Sequence, residues 1–242
     1  MSRTELPTIG FDRYIEYEWL EYSLQLAYAG DFVNTLKLWL NQRIEGKVSA
    51  RKTANVLTNI WLRRYEQTAQ VRDKAIILYP NLIGDERLIL HWGMALANFS
   101  LFRNVVGIMG RLIRLQGGFR KGEIHQRLLE IYSNQGTIPR SVNRIIQSIK
   151  EWNVITLNQD NIYLPAKSLK IDDFDLLAWL FEAAIIDNPD KHWALQDVLR
   201  LPELFPFDVA QSGSQAIRDS SNFSVIREGM NLEFISLRAP GE

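Results

Sequence analysis

Apolar positions along this chain recur mostly at intervals of three and four, the period of an amphipathic helix. Strand-like patterning is confined to short stretches after residue 150. Asp12 can cap a first helix running to about Ala29, where Tyr14, Tyr17, Leu20, Tyr22, Leu24 and Leu26 give an aromatic and aliphatic surface before Gly30 stops it. The spacing predicts a second helix over 32–43, built on Val33, Leu36, Trp39 and Leu40, and a third over 50–65 capped by Ser49. After Pro80 and Gly84, residues 85–98 are apolar nearly all round, as expected of a central buried helix. Ser100 opens another through Leu115, with Val105, Ile108, Met109 and Leu112 on one side, Arg103, Arg111 and Arg114 near the other, and the Gly117–Gly118 pair at its end.

The stretch from Gly122 to Leu164 carries the most information. Ile124, Leu128, Leu129 and Ile131 form the packing face of a supporting helix, and residues 133–136 supply turn chemistry. A second helix opens at Thr137 with Pro139 in its first turn and sets Val142, Ile145, Ile146 and Ile149 on one buried face. Arg140, Ser141, Asn143, Arg144, Gln147 and Ser148 are expected to point outward, side-chain types that donate to phosphate oxygens or read base edges in a major groove. Residues 153–157 and 162–164 then flank four turn-favouring residues, the pattern of a short hairpin. Helix, turn, helix and hairpin is the order of a winged helix, which suggests DNA.

Beyond Pro165 an acidic, aromatic-rich helix is expected over 172–186, then a helical stretch over 193–199. A proline-broken apolar connector follows, then a small helix over 214–219, and a hairpin over 223–227 and 232–237 turning at Gly229 and Asn231. The fold class expected is therefore mainly α: a helical N-terminal module over 1–99, a winged helix-turn-helix over 100–165, and a small α+β C-terminal part over 166–242. That last part suggests a second, degenerate winged helix.

Charge sharpens this picture. The 242-residue chain has a formal net charge of zero, but between Leu101 and Lys150 nine basic residues face two acids, a formal +7. From Ile171 to Ala210 nine acids face two bases, a formal −7. Either one surface attracts polyanions while another repels them or meets a basic protein, or the two blocks cancel across an interface. The acidic block favours protein contact. A further basic cluster, Lys47, Arg51, Lys52, Arg63 and Arg64, brackets the third helix and either extends a DNA track or solvates a helical face.

Candidate chemistry is sparse. The chain has no cysteine, which excludes disulfides and thiolate chemistry, and no apolar run long enough to span a bilayer; a cytoplasmic location is expected. His91, His125 and His192 lie far apart in sequence, so no metal site or histidine triad is assigned. Asp172, Asp173 and Asp175 are explained best as helix-capping acids. No phosphate-binding glycine loop or hydrolase elbow occurs. The expectation is a protein without catalytic residues, metal or cofactor, binding double-stranded DNA through Arg120, Lys121, Arg140, Ser141, Asn143, Arg144 and Gln147.

The segment HWGMALANFSLFRNVVGIMGRLIRLQ followed by RSVNRIIQSIKEWNVITL resembles the BrxA family of BREX phage-defence systems over about residues 50 to 165, with a longer N-terminus and a divergent tail here. The resemblance implies a non-enzymatic DNA-binding accessory protein working beside methyltransferase or ATPase partners, with Arg140, Asn143 and Arg144 as contacts. The plan is also similar to small winged-helix accessory subunits of bacterial condensin-like complexes, which implies a scaffold binding protein more than DNA. A transcriptional regulator is a third reading of the same elements.

Overall fold

The computed structural model describes residues 10–30, 33–132, 136–228 and 232–238. The chain is mainly helical. Helices α1 (Tyr17–Ala29), α2 (Val33–Asn41), α3 (Lys47–Leu57), α4 (Ala69–Leu78), α5 (Glu86–Asn98) and α6 (Ser100–Gln116) make up the first half. Then come α7 (Lys121–Tyr132), α8 (Ile138–Glu151), β1 (Ile155–Leu157), β2 (Tyr163–Pro165), β3 (Leu169–Lys170) and α9 (Phe174–Ile185). The chain closes with β4 (Trp193–Ala194), α10 (Leu195–Val198), β5 (Phe207–Asp208), α11 (Gly213–Asp219), β6 (Phe223–Glu228) and β7 (Leu232–Leu237). One continuous cluster of buried side chains runs through all of it, from Phe11 to Ile235.

The central helix α5 is buried along nearly its whole length, as its all-round apolar sequence requires. At Gly93 it crosses α9 so closely that an added Cβ would lie 2.5 Å from the Trp179 ring. Trp179 in turn donates from Nε1 to the Val71 carbonyl at 2.8 Å, tying α9 to α4. The helix over 69–78 lies in a stretch to which apolar spacing assigned no element.

Two corrections concern the first helices. Residues 10–16 do not form the first turns of a helix; they run as a non-helical strap whose Phe11 and Ile15 are fully buried. The backbone of the strap is bonded elsewhere: Ile15 N–H donates to Ser148 Oγ at 2.8 Å, Ile15 C=O accepts from Trp152 Nε1 at 2.9 Å, and Tyr17 N–H donates to Glu151 Oε2 at 2.8 Å. Tertiary bonds thus replace helical ones at Ile15. The third helix starts at Lys47 rather than beyond Ser49, and at Thr58–Leu62 it widens into a π-helical turn. Carbonyls of that turn are satisfied by side chains: Arg72 Nε reaches Trp61 O at 2.6 Å, and Asn98 Nδ2 reaches Asn59 O at 3.1 Å.

The π turn also aims Trp61 at His91. Trp61 Nε1–H donates to His91 Nδ1 at 3.0 Å, so the Nε2 proton donates to Glu21 at 2.8 Å, and Arg87 holds the other Glu21 oxygen at 3.0 Å. His91 is thus a buried neutral imidazole linking three elements. Burial pushes its pKa below the ordinary histidine value, more than Glu21 draws it up. Burial pushes the Glu21 carboxyl up, but the bonds from His91 and Arg87 more than offset this and hold it below the usual range. Both groups take up protons more readily unfolded than folded, so the stability they contribute is intact above about pH 6.5 and is lost on acidification, His91 first. We expect the melting temperature to fall between pH 7 and pH 5, and His91→Gln, which cannot titrate, to flatten that slope. An unchanged slope in the variant would assign the acid sensitivity elsewhere.

Two stretches share one connectivity. In the first, α6 leads to Phe119, which exchanges backbone hydrogen bonds with Tyr163 of β2 at 2.9 and 2.8 Å; α7 and α8 follow, then the antiparallel β1–β2 pair. In the second, α9 leads to β4, then α10 and α11, then the antiparallel β6–β7 hairpin, with β4 paired to β7. In each, the first extended segment lies beside the last strand, and the middle strand is outermost. The predicted turn at Gly229 and Asn231 lies outside the described residues. A short parallel pair, β3 with β5, joins the segment after the first hairpin to the proline-broken connector.

Candidate nucleic-acid interface

Helix α7 buries Ile124 and Leu128 but leaves Leu129 and Ile131 exposed, which corrects the expected packing face, and Glu123 caps its first turn by accepting from the Arg120 backbone N–H at 2.6 Å, a bond that holds its carboxyl below the usual range. Helix α8 packs Ile138, Val142, Ile145, Ile146 and Ile149 into the core, as the spacing predicts. The turn residues 133–135 between the two helices lie outside the described residues.

The outward face of α8 is narrower than its polarity implies. Arg140, Gln147 and Lys150 are exposed, and Asn143 and Arg144 are partly so. Ser141 and Ser148 are buried, which corrects the expectation that both face outward. Ser141 Oγ bonds back to Thr137 O at 3.2 Å and Ser148 Oγ to Arg144 O at 2.9 Å, so each hydroxyl is satisfied by its own helix. Positions 141, 145, 148 and 152 form one inward stripe, where small hydroxyls leave room for close packing. Ser148 uses its oxygen there to receive the strap. Ser141 is therefore removed from the set of candidate DNA contacts.

The remaining predicted residues fall into two groups. On α8, Arg144 Nη1 donates to Gln147 Oε1 at 2.9 Å, and Asn143 Oδ1 lies 3.3 Å from a ring nitrogen of His125 on α7, so three polar side chains are positioned by neighbours of their own kind. Beside the hairpin, Arg120 Nη1 donates to the Asp160 carbonyl at 2.7 Å and Lys121 Nζ sits 5.8 Å over the Tyr163 ring. The turn itself is closed by Asn158, whose Oδ1 accepts from the backbone of Asp160 and Ile162. Gly118 permits the close pairing, since a Cβ there would lie 2.6 Å from the Tyr163 carbonyl.

Apolar spacing put Tyr14 on the surface of a first helix, not beside α8. The strap brings it against the C-terminal half of α8, where it lines an open concavity with Arg144, Gln147, Lys150 and Glu151. Burial, then the charge of Glu151, raises the Tyr14 phenol pKa, so the group stays a neutral donor. Burial and nearby Glu16 likewise raise Glu151, which the Tyr17 N–H draws back only in part.

One of the nine bases, Arg103, is held inside the fold, and the exposed Arg114 bonds a backbone carbonyl much as Arg120 does. Arg103 bonds the carbonyls of Ala184, Leu96 (2.9 Å) and Ala183 (3.4 Å) and pairs with Asp187 at 3.3 Å, while Arg114 reaches the Arg200 carbonyl at 3.0 Å. Among the described residues, Arg103–Asp187 is the one ion pair joining the basic block to the acidic block, so direct ion pairing neutralises little of either. Asp173 caps α9 through the N–H groups of Asp175 and Leu176, as expected of such an acid. Among the described residues no group of three potential ligands could hold a metal ion, and no helix is long and apolar enough to cross a membrane. No protein-family model, curated protein or solved structure matches this chain.

Proposed function

We propose that this protein is a non-enzymatic DNA-binding accessory protein built on two winged helices, the first of which reads duplex DNA through α8. The observation that carries this reading is the pairing of fold and face. Helix, strand, helix, helix and hairpin, with the first strand beside the last, is winged-helix order. In the first unit the third helix presents Arg140, Asn143, Arg144 and Gln147, none held in an ion pair among the described residues. Arg140 and Arg144 supply guanidinium forks for phosphate or guanine, Asn143 and Gln147 suit adenine edges, and Arg120 with Lys121 would grip the backbone beside the hairpin. The resemblance to the BrxA family makes a prokaryotic phage-defence system the setting we propose.

The second unit supports a different contact. Two of its cations, Arg218 and Arg227, are both bound by Glu233, at 2.7 and 3.0 Å, and acids outnumber bases ten to four from α9 to β7. Phe174, Ile226 and Leu232 stand exposed on it, which favours a protein partner there and, as a second reading of the whole chain, a scaffold role.

Fluorescence anisotropy with a labelled duplex across a salt series tests the DNA reading. Arg140→Ala with Arg144→Ala is expected to weaken binding by about 1 to 3 kcal/mol and to lower the salt slope by about two. Binding by the double variant equal to wild type would move the interface off α8.

A further inference from the structure

Helices α2 and α3 pack together, joined by residues 42–46, and their packing leaves one face of α3 bare. Leu36 and Leu40 of α2 and Ala50, Ala54, Val56 and Leu57 of α3 are buried. On the opposite side Lys47, Arg51 and Asn55 follow one another at intervals of four, with Lys52 beside them, all exposed. From Lys37 to Arg64 the chain carries seven bases and a single acid, Glu45. Arg64 is paired with Asp73 at 2.7 Å, but Lys47, Arg51 and Lys52 have no ion-pair partner among the described residues. In the connecting turn, the Arg43 guanidinium lies 3.8 Å over the Trp39 ring, which stacks on Tyr22 with centroids 4.2 Å apart. That stack fixes a fourth cation in place.

A solvated helix surface does not require this arrangement. Surface helices usually intersperse both signs, with acids early and bases late; α3 has no acid in its first turn and places Lys47 there, a small cost to helix stability. We infer that the α3 face is a second DNA contact, seating phosphates on Lys47, Arg51 and Lys52, with Arg43 at the turn. The occupant follows from charge: an unpaired basic stripe, in which Val48 is the one large apolar side chain that α3 leaves exposed, suits a polyanion better than a protein surface. This inference rests on the reading of the protein as a DNA binder. It enlarges the footprint beyond α8 and assigns the N-terminal helices a share of the affinity.

The test uses the full chain and a 40-base-pair labelled duplex across a potassium chloride series, with Lys47→Ala, Arg51→Ala and Lys52→Ala combined. Three lost phosphate contacts are expected to lower the salt slope by about two to three and to weaken binding at least about tenfold at low salt, with affinity for competing sequences falling uniformly. The side chains are exposed, so circular dichroism should show unchanged melting. A parallel set of Lys47→Gln, Arg51→Gln and Lys52→Gln should give the same loss. If the wild type binds with a steep salt slope and both triple variants match it, the α3 contact is overturned while the α8 reading stands. If the wild type shows no salt-dependent binding at all, both fall.

Discussion

Lys74→Met is expected to lower the free energy of unfolding by about 3 to 5 kcal/mol at neutral pH, the cost of leaving a buried charge without its partner. Lys74 Nζ donates to both oxygens of Glu182, at 2.8 and 2.9 Å, and to Asn222 Oδ1 at 2.9 Å, joining α4 to α9 and to the loop before β6. Glu182 is buried on α9. Burial pushes its carboxyl above the usual range, and Lys74 only partly draws it back. Without the lysine the folded pKa rises further, so the penalty is absent below the unfolded value of about 4.5 and grows as pH rises above it. The gap between variant and wild type in urea unfolding should therefore be smaller at pH 5 than at pH 7.5. A gap independent of pH would show that packing by the lysine stem, not charge, is what the substitution removes.

Gly110→Ala should be nearly as damaging, by about 3 kcal/mol, because the neighbour is backbone. Helix α6 lies against the 3-10 turn Pro202–Leu204, and a Cβ at residue 110 would stand 1.9 Å from the Pro202 carbonyl oxygen and 2.7 Å from its carbon. The turn cannot retreat freely, since Trp92 Nε1 of the central helix donates to Glu203 O at 3.0 Å. One turn earlier, a Cβ at Gly107 would meet only the end of the Glu203 side chain, at 3.0 Å. Gly107→Ala is thus expected to cost less than about 1 kcal/mol, since a flexible side chain can move. Equal losses for the two variants would contradict the close approach of turn and helix at residue 110.

What the residue pattern determined is the local order. Helices over 86–98, 100–116, 121–132 and 138–151 and the hairpins at 155–165 and 223–237 are legible because apolar period and turn residues act over a few positions. The buried stripe Val142, Ile145, Ile146 and Ile149 and the exposure of Arg140 and Gln147 follow from the same arithmetic. Polarity alone misplaced Ser141 and Ser148, because a hydroxyl bonded to the carbonyl four residues back can be buried at little cost.

Only the tertiary structure decided the rest. Residues 10–16 left the helical path because Ser148 and Trp152, more than a hundred positions away, take the backbone groups of Ile15. Arg103, counted as surface charge from the sequence, lies inside against the ends of two other helices. The shared order of the two helix and hairpin units emerged from pairings such as Phe119 with Tyr163 and Trp193 with Ile235, one or two residues long and too short to leave an alternating pattern. Local spacing encodes which face of a helix is apolar; which distant group satisfies a donor depends on what folding brings beside it.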